Sequence, residues 1–333
     1  MARSRRHQPR RRLDFVLLSL TSFRQHFIEA IPETLKVAIG IGIGFFVTFI
    51  GMQSGHLIVD SPATLVTFGN LNDPIARLTL FGLFATIVLM VLKINGAVFI
   101  GMLITGALAF ALNMMQVPAS FVSMPVSPVE AFGNFELGNI FARGFEVFSV
   151  LMLTLFDTTG TFLGVGRQAG IIKRGVIPNF QSALMADAIG SLTGGLFSGG
   201  ATSSFVESGS GVAAGGRTGL TAVFAVLFFV GLLFFAPFAK MIASVPSITA
   251  PVLILIGVFM SNSINEIDWK DLTQAIPAFL TMLIIPLSYS ITIGIGIGFV
   301  SYSLIQIVVG NARNIHPLMY LFSALFIFYQ FLT

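Results

Sequence analysis

The chain is 333 residues long, 55% hydrophobic and 10% charged, with a formal net charge of +4 and a mean hydropathy of +0.92. Soluble domains carry about 25% charged residues, so too few are present to cover a water-facing surface, and a soluble globular fold is excluded. The net charge is misleading in sign, because six of the 18 basic residues are Arg3, Arg5, Arg6, Arg10, Arg11 and Arg12, leaving 12 basic against 14 acidic residues beyond them.

In chain order, residues 1–13 form a basic head. It reads as a disordered or cytoplasmic juxtamembrane tail rather than a nucleic-acid-binding arm, so no nucleic-acid partner is expected. The apolar run Phe15–Leu20 is shorter than the usual signal-peptide core of about 7–15 residues, so no signal peptide is expected. An amphipathic stretch over 14–30 leads to Pro32 and a spanning helix at about 34–53. A loop with Asp60, Pro62, Asn70, Asn72 and Asp73 precedes spans at about 75–92 and 95–115, separated by Lys93, Asn95 and Gly96. A Pro- and Ser-rich connection covers 117–130, followed by helices at about 138–163, 181–197 and 202–213, the last too short to span. Spans at 219–243, 247–263, 272–288 and 290–310 and a terminal apolar helix at 318–332 complete the chain.

Charge-free runs decide the class. Residues 37–55, 188–206, 218–239, 241–265 and 272–312 hold no Asp, Glu, Lys or Arg. A spanning helix needs about 20 apolar residues at 1.5 Å each. The run 272–312 would make a helix of roughly 60 Å, twice the hydrocarbon thickness, so it holds two spans. Barrel strands alternate in polarity over about 10 residues, and these runs do not alternate. The expected fold is all-α and polytopic, in a cell (inner or plasma) membrane. Basic residues near helix ends give the orientation. With the 164–180 loop in the cytoplasm, Arg24, Lys36, Lys93, Arg167, Lys173, Arg174, Arg217, Lys270 and Arg313 fall inside, and only Arg77, Arg143 and Lys240 outside.

A weak internal repeat aligns residues 17–53 with residues 232 onward on Pro32 and Pro246. Each copy has an apolar helix end, an amphipathic turn, a proline and a new span, and two closely spaced helices follow (75–115 and 272–310). The copies run in opposite senses, as in inverted-repeat transporters. About 107 residues precede Pro246 in the second copy, counting from roughly residue 139, but only 31 precede Pro32. The first copy is therefore expected to lack about 75 residues at its front.

Three acids lie inside apolar segments: Asp157 in LMLTLFDTTGTFLG, Asp187 in ALMADAIGSLTGG and Glu207 in ATSSFVESGSG. An ionised acid at mid-membrane costs about 2.5–3.5 kcal/mol even on conservative scales, so such acids mark solute or proton pathways. The bland alternative is an acid at a helix end or satisfied by local hydroxyls, and for Asp187 a loop near residue 180 offers that. Around Glu207 the run SGGATSSFVESGSG reads as extended and then briefly helical over about 201–210. Irregular backbone at membrane depth survives only where it is buried or lines a cavity. A half-helix from near Ser204 would aim free N–H groups at a ligand.

Gly211-Val-Ala-Ala-Gly-Gly216-Arg217-Thr218 approaches the phosphate-loop pattern but lacks its Lys and its leading strand. The four histidines form no ligand spacing, no nucleophile–His–acid set assembles, and the absence of cysteine excludes disulfides and thiolate metal sites. Neither an enzyme nor a metal centre nor a cofactor is expected.

At FDTTGT (156–161), ALMADAIGS (183–191), TSSFVESGSGVAAGGRTGLTA (202–222), AIPAFLTMLIIPLSYSITIGIGIGFVSY (275–302) and SPATLVTFGNL (61–71), the chain resembles the xanthine/uracil/vitamin C permease superfamily, specifically its azaguanine-type purine permeases. The resemblance covers about residues 14–310. It implies inverted seven-segment repeats with core and gate domains, of which the first three to four segments are absent here. Residues 14–31 would be a remnant of segment 4, 32–115 gate segments 5–7, 116–137 a loop, 138–243 core segments 8–11, 244–310 gate segments 12–14, and 311–333 a C-terminal helix. It further implies proton-coupled uptake of a purine nucleobase. Asp157 and Glu207 would hydrogen-bond the base, with Thr158 and Ser208 beside them. Phe205 and Val206 would offer backbone groups, and Phe156 or Phe205 a stacking face. Asp157, Asp187 and Glu207 are the candidates for carrying the coupled proton, with a homodimer left open. An anion or sulfate carrier, and a non-transporting fragment, are the alternative readings.

Overall fold

The computed structural model describes residues 30–332 apart from 116, 119, 126, 128, 130–131, 133–157, 159–160, 163, 167, 173–177, 198–203 and 206–207. Among these residues the elements are α1 (Glu33–Ser54), a hairpin of β1 (Ile58–Ser61) and β2 (Leu65–Phe68), α2 (Pro74–Val91), α3 (Ala97–Ala111), α4 (Phe180–Leu196), α5 (Ser208–Ala213), α6 (Gly219–Phe234), α7 (Ala236–Ala243), α8 (Ala250–Met260), α9 (Leu272–Leu287), α10 (Ile291–Val308) and α11 (Pro317–Leu332). With its flanking 3-10 turns, α8 makes a continuous apolar segment over Pro246–Glu266. That segment, α1, α2 and α10 are each long and apolar enough to cross a bilayer, and α6 with α7 would make a fifth span if the bent pair counts as one.

Three expectations change. The single span expected over 219–243 breaks at Phe235 into α6 and α7, bent by 97°. Pro237 sits in the first turn of α7, has no N–H for the preceding turn and clashes with it, so the ladder cannot run through. Of the helix expected over 202–213, Ser208–Ala213 is helical, Ser204 and Phe205 are non-helical, and 202–203 and 206–207 lie outside the described residues. The loop between α1 and α2 contains a strand pair, so the fold is all-α with one small antiparallel hairpin, Ile58 opposite Phe68 and Ser61 opposite Leu65. The segment expected at 138–163 lies largely outside the described residues.

The chain divides into two compact units. In the unit that includes residues 260–333 and the start of α1, α9 and α10 form a tight helical hairpin. Asp271 caps α9, its carboxylate accepting from the Thr273 amide at 3.0 Å and the Thr273 hydroxyl at 2.7 Å. Those bonds, the hydroxyl's first, hold its pKa below the ordinary carboxylate value. The alternating run Ile291-Thr-Ile-Gly-Ile-Gly-Ile-Gly298 distributes its glycines by helical position. Gly294 and Gly298, four apart, face α9, where added Cβ atoms would meet Ile285 at 2.2 Å and the Thr281 hydroxyl at 2.0 Å. Gly296 faces α11, against the ring of Phe326. Val37, Ala38 and Ile41 of α1 pack with Ile267, Ala278 and Met282, and Thr34 donates to the Gln274 side chain.

In the other unit, α2 and α3 pair by a reciprocal version of the same device. A Cβ at Gly101 would meet the Thr86 hydroxyl at 2.0 Å, and one at Gly82 would meet the Thr105 hydroxyl at 2.5 Å. Each threonine donates to the carbonyl four residues back, Thr86 to Gly82 and Thr105 to Gly101, at 2.7 Å. Both hydroxyls are thereby satisfied at a buried seam. Likewise Gly257 of α8 meets Thr48 of α1, whose hydroxyl donates to the Ile254 carbonyl at 3.2 Å. By contrast α6 has no buried residue. Its Leu, Val and Phe side chains point outward all round, as suits a helix bathed in lipid.

Asp73 closes the foot of the β1–β2 hairpin. Its Oδ1 accepts from the Ile75 amide at 2.9 Å, capping α2, and its Oδ2 lies 2.6 Å from His56 Nδ1. Arg77 donates to the Asn72 carbonyl beside it. The His56 bond first, then the Ile75 amide, lowers the Asp73 pKa below its ordinary value.

Two outcomes follow. Gly101→Leu should destabilise the α2–α3 pair by about 1–3 kcal/mol, the usual range for overpacking, read as a lower melting temperature in detergent. Gly231→Leu on α6, where an added Cβ meets nothing within 4 Å, should not. Because the Asp73 pKa is depressed, its latch should be intact above the unfolded carboxylate value of about 3.9 and lost as pH falls through the lower folded value. Hydrogen exchange over 56–73 should therefore accelerate in that acid window, and Asp73→Asn should accelerate it at neutral pH.

Candidate functional site

The site residues expected from sequence fall on two stretches, 156–158 and 205–208, with Asp187 between them in the chain. Phe156, Asp157, Val206 and Glu207 lie outside the described residues. Thr158, Asp187, Phe205 and Ser208 are described, and two of them meet.

Helical backbone carries Thr158, Thr161, Phe162, Gly164, Val165, Gly166 and Gln168. Thr158 and Thr161, three apart, are both buried and share one face. After Gly170, whose φ of +68° turns the chain, α4 begins behind Asn179 in the left-handed region at φ +51°. Its buried stripe is Leu184, Asp187, Ala188, Ser191 and Gly195, the i, i+3, i+4, i+7 pattern of a helix packed on one side. Asp187 is part of that stripe, only 9% exposed. Across the helix pair, the Thr158 hydroxyl donates to Asp187 Oδ2 at 3.0 Å. Nearer the turn, the rings of Phe162 and Phe180 meet edge-on at 6.0 Å and 82°. One polar and one aromatic contact thus fix the register of the two helices.

The loop ending at Asn179 does not wet Asp187, which stands two turns inside α4, while a hydroxyl from another helix satisfies it in part, as its bland reading also allows. Neither motif alone revealed that pairing, because its partners are 29 residues apart and nothing local links them. Phe205 is 67% exposed, and Ser208 opens the six-residue α5 with an exposed side chain. Among the described residues no cluster of His, Asp or Glu could hold a metal.

Comparison with known proteins gives the family. The model of the Permease family (Xan_ur_permease) matches residues 13–326. The chain belongs to that family. It is similar to guanine/hypoxanthine permease PbuO of Bacillus subtilis (strain 168), 42% identical over 326 residues, covering 96% of this chain and 75% of the relative. It is also 37% identical over 316 residues to adenine permease AdeP of Escherichia coli (strain K12), covering 93% and 70% respectively. Among solved structures, the transmembrane domain of a cyanobacterium bicarbonate transporter, BicA, aligns with a TM-score of 0.50 at 18% identity, covering 86% of this chain and 74% of that one. That likeness establishes a shared fold. The chain is thus a multi-pass membrane transport protein and not an enzyme.

Thr158→Val keeps the shape of the side chain and removes its donor. Leaving one partner of a buried hydrogen bond unsatisfied costs about 1–3 kcal/mol, so Thr158→Val should lower the melting temperature and impair transport. Thr158→Ser, which restores the hydroxyl, should recover both.

Proposed function

We propose that the protein takes up purine nucleobases such as guanine, hypoxanthine or adenine in symport with protons. The observation that carries this reading is the 37–42% identity, over 93–96% of the chain, to permeases named for those bases. In this reading Asp157 and Glu207 accept hydrogen bonds from ring N–H groups. Thr158 and Ser208 flank them, Phe205 and Val206 offer backbone groups, and Phe156 or Phe205 stacks on the ring. Acids at the site suit an uncharged heterocycle with N–H donors better than an anion, which two carboxylates would repel.

Proton coupling is argued from Asp157, Asp187 and Glu207. A carboxyl that must sit in the membrane interior is cheaper there neutral than charged. An acid alternating between the two forms links the proton to the movement of the base. The core (138–243) and gate (32–115 and 244–310) belong to the same proposal, as does their inverted repeat. The repeat is supported by two helix hairpins built alike, Thr86 against Gly101 in α2–α3 and Thr281 against Gly298 in α9–α10.

Uptake of radiolabelled guanine, hypoxanthine and adenine into cells expressing the protein tests the proposal. Asp157→Asn and Glu207→Gln should each reduce uptake at least about tenfold, about 1.4 kcal/mol or more of lost interaction, and a protonophore should abolish accumulation. Unchanged uptake in both variants would remove the site assignment. Uptake of bicarbonate or sulfate that purines do not compete with would replace the nucleobase by an anion.

A further inference from the structure

A cavity of about 510 Å³ opens where the end of α5 (Gly211, Ala213, Ala214), the turn and start of α3 (Lys93–Phe99) and α8 (Val252, Phe259) come together. None of Thr158, Asp187, Phe205 and Ser208 lines it. Its position along α5 is informative. Ser208, next in sequence to Glu207, is at one end of α5, and the cavity is at the other. Gly211 follows Ser208 by three residues, about 4.5 Å along the helix at 1.5 Å each. Lys93 at its rim, and Arg217 three residues beyond Ala214, both belong to the basic set that marks the cytoplasmic face.

The lining chemistry is selective. Phe99 and Phe259 offer ring faces, Met90 and Met102 polarisable thioethers, and Asn95 an amide. Lys93 is the one titratable side chain among the lining residues, which include no acid. Flat, uncharged heterocycles suit such walls by stacking and sulfur–aromatic contact. Small residues keep the space open. A Cβ added at Gly211 meets nothing within 4 Å, and its backbone is not in the left-handed region, so a side chain there would grow into the cavity without strain.

We propose that this cavity is the cytoplasmic leg of the permeation path, where a purine nucleobase rests after leaving the site ahead of α5. Gly211 is the residue that keeps it passable. The proposal rests on the nucleobase reading above.

The chain contains no cysteine, so Gly211→Cys introduces a single thiol. In membrane vesicles of defined sidedness, a membrane-impermeant methanethiosulfonate should label it from the cytoplasmic side only, and guanine or hypoxanthine should slow labelling at least about threefold, as occupancy of a site protects it. Gly231→Cys, on the lipid-facing α6, should show no purine effect. Gly211→Trp should cut the maximal uptake rate at least about tenfold while purine binding to purified protein stays within about threefold of the parent, because only the exit is plugged. Labelling from the outer side alone, labelling indifferent to purines that the parent demonstrably binds, or undiminished uptake by Gly211→Trp would each overturn the proposal. If Gly211→Trp fails to fold, the cysteine labelling decides alone. A parent that neither binds nor transports any purine sinks the nucleobase reading itself, and the ligand assigned to the cavity with it.

Discussion

Helix association in this protein depends on threonine side chains seated against glycine backbone. In lipid there is no hydrophobic gain from pressing two apolar helices together, so association depends on close van der Waals contact and on polar groups that are satisfied at the seam. Thr86 against Gly101, Thr105 against Gly82, Thr281 against Gly298 and Thr48 against Gly257 supply both. The missing Cβ lets the backbones approach. Thr86, Thr105 and Thr281 each return their hydroxyl to a carbonyl four residues back on their own helix, so no donor is stranded. α6 lacks this device and shows the converse, a helix of Leu, Val and Phe with no buried residue.

Among the described residues, side-chain polar contacts stand both at helix ends and between neighbouring helices. At the ends Asp73, Asp271 and Ser290 cap α2, α9 and α10 through their side chains. In the interior, Thr158 with Asp187 and Ser303 with Ser323, the latter 3.1 Å apart, join neighbouring helices. The serine pair is neutral and reads as packing. Asp187 can carry charge, and a carboxylate held between two helices is a costly feature that a purely structural seam does not require. That difference in cost is the physical ground for looking for function on the Thr158–Asp187 side.

The structural neighbour is a bicarbonate transporter domain, whereas the relatives closer in sequence are named for purines. One scaffold thus serves solutes of opposite character, and the solute is chosen by the few side chains presented to it.

The sequence by itself determined the class and the place of most helices. Charge-free runs of membrane length and helix punctuation such as Pro32, Gly96 and Asp271 act locally, and they set α1, α2, α3, α9, α10 and α11 within a few residues. The break at Pro237 and the hairpin over 58–68 also had local signals, a proline inside an apolar run and the β-branched Ile58, Val59, Val66 and Thr67 on either side of Pro62. What only the tertiary structure decided concerns partners distant in the chain. The assignment of Gly294 and Gly298 to α9 but Gly296 to α11, the bond from Thr158 to Asp187 and the cavity at the end of α5 all depend on which helix faces arrive at the same place. Hydropathy reports how far a residue is from water. It carries no information on which neighbour replaces the water, because that is set by the packing of whole helices.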